Sequence, residues 1–205
     1  MFDFAAVYHN RLRLVISQKY EWIPISVINA GASGDTAEGG LQRLARDVIE
    51  RRPDLCVVCY GLNDVGGELE EYSGALRSIF TELRNAGIET LFMTPNMLNT
   101  RVADDAPPEY LAYAHKTAEM QNSGRMDAFM AAAVALTQEM VVCDCDCYAK
   151  RKALAEVQDV TSLLANRINH PTPEMHELFA QSLYDVIMEG GGSAEGTSST
   201  MIYET

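Results

Sequence analysis

The run Leu55-Cys56-Val57-Val58-Cys59-Tyr60 limits the possible folds more than any other stretch of this chain. It is continuously apolar and is bounded by Pro53-Asp54 before it and Gly61 after it. A strand with one face in water alternates apolar and polar residues. One without a polar side is covered on both faces, as in parallel sheets flanked by helices. The neighbouring segments supply those helices. Phe4, Tyr8, Leu12, Val15 and Ile16 predict an amphipathic helix over residues 3–20. Leu41, Leu44, Val48 and Ile49 predict a second, capped by Asp35 or Thr36. Leu69, Tyr72, Leu76, Ile79, Phe80 and Leu83 predict a third, ended by Gly87.

Further strands are predicted at Ile23–Asn29, Ile88–Met93 and Met140–Cys145. Residues 95–109 read as a loop, and further helices are predicted near 107–119, 123–139 and 147–156. A last helix, Pro173–Glu189, carries proline in its first turn, where the missing N–H costs nothing. Its stripe is Met175, Phe179, Leu183 and Ile187. The alternation of strand and helix implies one α/β domain over residues 1–189, a parallel sheet between two helical layers. Residues 190–205 are rich in Gly and Ser and read as a disordered tail.

With 205 residues the chain is long enough for one such core. Its formal net charge of −13 argues against nucleic acid and anionic membranes as partners. No apolar run is long enough to span a bilayer, and the N-terminal residues do not form a signal peptide. Five cysteines, an odd count, read as reduced thiols of a cytoplasmic protein. Cys143-Asp144-Cys145-Asp146-Cys147 lacks the paired spacing of a zinc site and reads as a strand end.

In doubly wound sheets ligands bind at the carboxyl ends of the strands, and three polar clusters fall there. Gly34 lies between a predicted strand and a helix N-terminus, where a free backbone N–H can hold a developing oxyanion; by itself it reads better as a tight turn that uses glycine for its backbone freedom. Asn63, in Gly61-Leu62-Asn63-Asp64, offers a carboxamide donor or simply a turn with a helix cap. His170, in Asn169-His170-Pro171-Thr172, can act as a general base. His9, His115 and His176 read as surface or packing residues. Met97 and Leu98 either line an acyl pocket or pack locally.

Taken together, the blocks VINAGASGDTAEGGLQRLARDVIERRPDL (27–55), VVCYGLNDVGG (57–67) and LLANRINHPTPEMHELFA (163–180) resemble the SGNH/GDSL hydrolase family over about residues 5–188. The resemblance implies a flavodoxin-like three-layer α/β/α sandwich. It also implies hydrolysis of carboxylic esters or thioesters, acyl or acetyl groups on sugars, lipids or small molecules, without metal or other cofactor. By the same likeness Gly34 and Asn63 are oxyanion-hole donors and His170 is the base.

The chain departs from the family pattern in two places. It has no Gly-Asp-Ser motif and no apolar strand before the first helix, so the nucleophile is expected outside this sequence. Met1 is then expected to be an internal methionine of a longer protein, which makes the cytoplasmic assignment conditional; an in-frame stop directly upstream would refute this. Ser33 reads as support for its turn, because Asp35 stands where a nucleophile elbow requires glycine. The family's acid, three residues before the histidine, is replaced by Arg167. Asn166 is a candidate to orient the ring, and Asp159 or Asp64 to reach it. The rival readings are a non-catalytic relative that binds a small ligand or partner in the same cleft, and a phosphate binder using the Gly31 to Thr36 turn. The latter lacks any glycine-rich phosphate fingerprint.

Overall fold

The computed structural model describes residues 7–22 and 24–190. Its elements are α1 (Tyr8–Lys19), α2 (Ala37–Asp47), β1 (Leu55–Val58), α3 (Leu69–Asn85), β2 (Glu89–Met93), α4 (Leu111–Asn122), α5 (Arg125–Met140), β3 (Cys143–Cys145), α6 (Cys147–Ala155) and α7 (Pro173–Glu189). The three strands form one parallel sheet in the order β1-β2-β3. Leu55 pairs with Glu89, and Leu91 with Cys143.

Side chains along β2 alternate between the two faces, and each face meets its own helical layer. Phe92 belongs to the buried cluster that holds Leu76, Ile79 and Phe80 of α3, Leu44 of α2 and Met126 and Phe129 of α5. Phe80 and Phe92 meet edge to face at 5.9 Å. Leu91 and Met93 point the other way, with Cys145, against Leu12 and Ile16 of α1 and Phe179 and Leu183 of α7. The architecture is therefore the expected α/β/α sandwich. Each large apolar side chain wholly removed from water in these layers contributes about 1.5–3 kcal/mol.

Helix ends follow local chemistry. Thr36, one of the two candidates, caps α2 and accepts a hydrogen bond from the Gly39 N–H. Asp146 caps α6 through the Ala149 N–H. α7 starts on Pro173 and ends at Gly190, whose φ of 67° continues no helix.

Three predicted strands change. The segment expected at Ile23–Asn29 forms no ladder; residues 24–30 lie without assigned secondary structure, with Val27 and Ile28 exposed, and Ile23 lies outside the described residues. A strand exists only through a partner, and among the described residues nothing pairs with the edge of β1 away from β2. The run at 55–60 is a strand only to Val58. At 140–145 the strand shrinks to Cys143–Cys145, because Met140 is the last residue of α5 and Val141 takes a positive φ of 53° to end it. Phe4 of the first predicted stripe and tail residues 191–205 lie outside the described residues.

Candidate active site

The carboxyl end of β1 is tied to the start of α2 by one buried carboxylate. Asp64 Oδ1 accepts from the Ala37 N–H at 2.8 Å, and Oδ2 accepts from the Gly61 N–H at 2.8 Å. Burial raises its pKa, and the two N–H donors partly oppose that shift. Beside it, Asn63 Nδ2 donates to the Asp35 carbonyl at 2.8 Å. The turn containing Gly34 is thereby held next to Asn63. Gly34 has a φ of 76°, and its N–H makes no hydrogen bond among the described residues. Its neighbour Asp35 receives Arg43 Nε at 2.7 Å, and Arg43 also pairs with Asp47. Both site groups are exposed. One hydrogen of the Asn63 amide is occupied by the Asp35 carbonyl, and the other makes no hydrogen bond among the described residues.

The carboxyl end of β2 runs into residues 94–99, which are buried without helix or strand. Sequence reasoning offered only Met97 and Leu98 here, as an acyl-pocket lining or local packing, and gave Asn96 and Asn99 no role. Met97 and Leu98 are core residues packed with the α3 and α5 layer, so they serve packing rather than an acyl pocket. Asn96 Nδ2 donates to the Asn169 carbonyl at 2.9 Å, and the Asn99 N–H donates to the Ile168 carbonyl at 2.9 Å. Because β1 and β2 are parallel, Asn63 and the His170 loop lie at the same end of the sheet.

His170 itself is exposed, and its ring makes no hydrogen bond among the described residues. Asn166 does not orient that ring: its Oδ1 accepts the backbone N–H groups of Ile168, Asn169 and His170, and its Nδ2 donates to Asn169 Oδ1. A side chain one residue out of step with the family acid caps the loop backbone instead. Arg167, at the acid's position, has a φ of 59° and turns away to Asp105 and the Ser162 carbonyl. Asp159 is paired with Arg101 and the Thr161 N–H, and Asp64 with its two backbone donors, so neither bonds His170. No hydrogen bond joins Ser33 to His170 among the described residues.

His176 packs as expected, stacked on Tyr8 at 6.1 Å and edge-on to Phe179 at 6.4 Å. Burial first, then the positive charges of Arg11, His9 and His170, lower its pKa to about 4. It is therefore neutral near pH 7. Among the thiols, Cys143 is exposed, while Cys145 and Cys147 are buried with their sulfurs 3.7 Å apart. Among the described residues no group of His, Cys, Asp or Glu forms a metal site, and no helix is long and apolar enough to cross a membrane.

Residues 3–178 match the family model of the GDSL-like Lipase/Acylhydrolase family. An acetylxylan esterase of Geobacillus stearothermophilus is 32% identical over 88 residues, an alignment covering 37% of this chain and 40% of that protein. The match thus spans less than half of the relative's length. The crystal structure of Axe2, an acetylxylan esterase from Geobacillus stearothermophilus, superposes with a TM-score of 0.72 at 22% identity, covering 89% of this chain and 81% of that one. Its solved forms include catalytic mutants of a serine, an aspartate and a histidine. LAE5, an alpha/beta hydrolase enzyme from the metagenome of Lake Arreo, superposes with a TM-score of 0.71 at 18% identity, covering 87% and 80%. At these identities the structural likeness is one of fold.

Proposed function

This chain belongs to the GDSL-like lipase/acylhydrolase family, and from that premise we propose that it is a carboxylic ester hydrolase acting through an acyl-enzyme. His170 takes the proton of an attacking serine, and the Gly34 N–H and the Asn63 amide hold the oxyanion of the tetrahedral intermediate. The observation that carries this reading is the Asn63–Asp35 hydrogen bond, which ties the Asn63 amide to the turn whose Gly34 N–H makes no hydrogen bond among the described residues. Among the described residues no serine hydrogen-bonds His170, and none is given the nucleophile's role. The catalytic serine and histidine of Axe2 support the roles given to an attacking serine and to His170. An acetyl ester on a carbohydrate is the proposed substrate class, because the two Geobacillus stearothermophilus comparisons are acetylxylan esterases.

A second reading is a non-catalytic relative that binds a small ligand in the same cleft. It is favoured by Arg167 standing, paired with Asp105, at the acid's position. Labelling with a serine-reactive fluorophosphonate, alongside hydrolysis of p-nitrophenyl acetate, separates the two. The gene product carrying any upstream coding sequence should label and turn over. His170→Ala should abolish both, and Asn63→Ala should lower kcat about 10²–10³-fold. A folded protein that neither labels nor hydrolyses favours the binder.

A further inference from the structure

The loop that presents His170 is gripped from two directions by carboxamides, while the ring itself is held by nothing among the described residues. From within the loop, Asn166 Oδ1 collects the N–H groups of Ile168, Asn169 and His170 at 3.1, 2.9 and 2.9 Å. Its Nδ2 passes a hydrogen bond to Asn169 Oδ1 at 2.8 Å. From the end of β2, the buried Asn96 donates both hydrogens of Nδ2, one to the Met97 carbonyl at 2.8 Å and one to the Asn169 carbonyl at 2.9 Å. The Ala165 N–H closes the loop on the His170 carbonyl at 2.7 Å. Where His170 sits relative to the end of the sheet is therefore decided through its main chain.

We propose that Asn96 is a positioning residue for His170. Together with Asn166, it supplies from the backbone side the placement that a ring-facing carboxylate supplies elsewhere. The proposal rests on the reading of His170 as the base. Its chemistry is specific. Position 96 must offer two donors to two carbonyl oxygens at once, which a carboxamide does and a carboxylate cannot. Position 166 must accept three N–H groups, which a carboxylate does as well or better, with the Asn169 amide turned over so that its Nδ2 donates to the second oxygen. An Asp is thus tolerated at 166 and rejected at 96, a contrast that loop stability alone does not require. Misplacing a general base by about 1 Å costs about a hundredfold in rate.

The test uses ¹⁵N-labelled protein with its native N-terminus, at temperatures well below each variant's unfolding midpoint. Amide hydrogen exchange at Ile168, Asn169 and His170 is read beside kcat, KM and the pH profile for p-nitrophenyl acetate. Asn96→Ala and Asn96→Asp should speed exchange at Asn169 and His170 and lower kcat about tenfold to a hundredfold, with KM nearly unchanged. Asn166→Asp should keep kcat close to the parent, and Asn166→Ala should not. Loop exchange that does not respond to Asn96→Ala would overturn the proposal, and so would faster exchange with unaltered kcat. An inactive parent protein whose loop exchange still depends on Asn96 instead overturns the hydrolase reading and leaves the loop anchoring established.

Discussion

Asp64 reaches the Ala37 N–H at 2.8 Å across 27 positions of sequence, and its second oxygen holds the Gly61 N–H at the same distance. One buried carboxylate thereby sets the end of β1 against the first turn of α2, beside the bond from Asn63 to the Asp35 carbonyl. Asp64→Ala leaves two buried donors without acceptors, each worth about 1–3 kcal/mol. Urea denaturation should show a loss of about 2–5 kcal/mol for Asp64→Ala and clearly less for Asp64→Asn, which keeps one acceptor. Equal losses in the two variants would mean that side-chain volume, not these bonds, matters there.

Two glycines of the site differ in what a methyl group would meet. Gly61 has a φ of 126°, and an added Cβ would overlap Met130 Cε and lie 3.0 Å from the Tyr72 hydroxyl. Gly34 has a φ of 76° with nothing within 4 Å. Gly34→Ala should cost about 1–2 kcal/mol, from the left-handed backbone alone. Gly61→Ala should cost more, since backbone strain and overpacking act together. Thermal melts of the two variants, taken side by side, test that order.

His176 ties stability to acid. Its folded pKa, about 4, lies below the ordinary value of 6.5 because burial and neighbouring positive charges disfavour the imidazolium. Between those values the unfolded chain binds more protons than the folded one. Stability is therefore full above about pH 6.5 and is lost as pH falls towards 4. Replacing His176 by Phe should flatten this part of the stability–pH curve, by on the order of 1–3 kcal/mol between pH 7 and pH 4. An unchanged slope would place the acid sensitivity elsewhere.

Thiol reactivity should be confined to one cysteine. Burial pushes Cys56 up to about 11 and Cys59 up to about 12. Cys145, lowered by its hydrogen bond with Cys147, is buried beside it, so access rather than thiolate content favours Cys143, which is exposed although partial burial and Asp144 raise its pKa. The thiolate is the reactive form. With native protein at pH 8, iodoacetamide followed by peptide mass analysis should modify Cys143 first. The other four should react only after denaturation. Rapid modification of Cys145 would show that the α6 N-terminus opens readily.

Much of this architecture was legible because periodicity is a local signal. The helix predicted at Pro173–Glu189 has those same bounds in the structure, since proline at its start and Gly190 at its end punctuate a strong apolar stripe. The segment at 23–29 misled because its apolar residues resemble a strand, while pairing depends on a neighbour that no local pattern reveals. His170, Asn63 and Gly34 stood out through motif and position. Asn96 and the double grip of Asp64 did not, because each acts on residues distant in sequence, 73 positions away for Asn96 and Asn169.

The sequence by itself determined the order of the helices and of three of the four predicted strands, the family, and the three polar clusters at the end of the sheet, because spacing and turn residues are written along the chain. Only the tertiary structure decided what those polar groups hold. It placed Asn166 on the loop backbone rather than on the imidazole ring, sent Arg167 to Asp105, and joined the Gly34 turn to Asn63. Hydrogen-bond partners are chosen by distance in space, and for donors and acceptors far apart in sequence that distance exists only once the layers have packed.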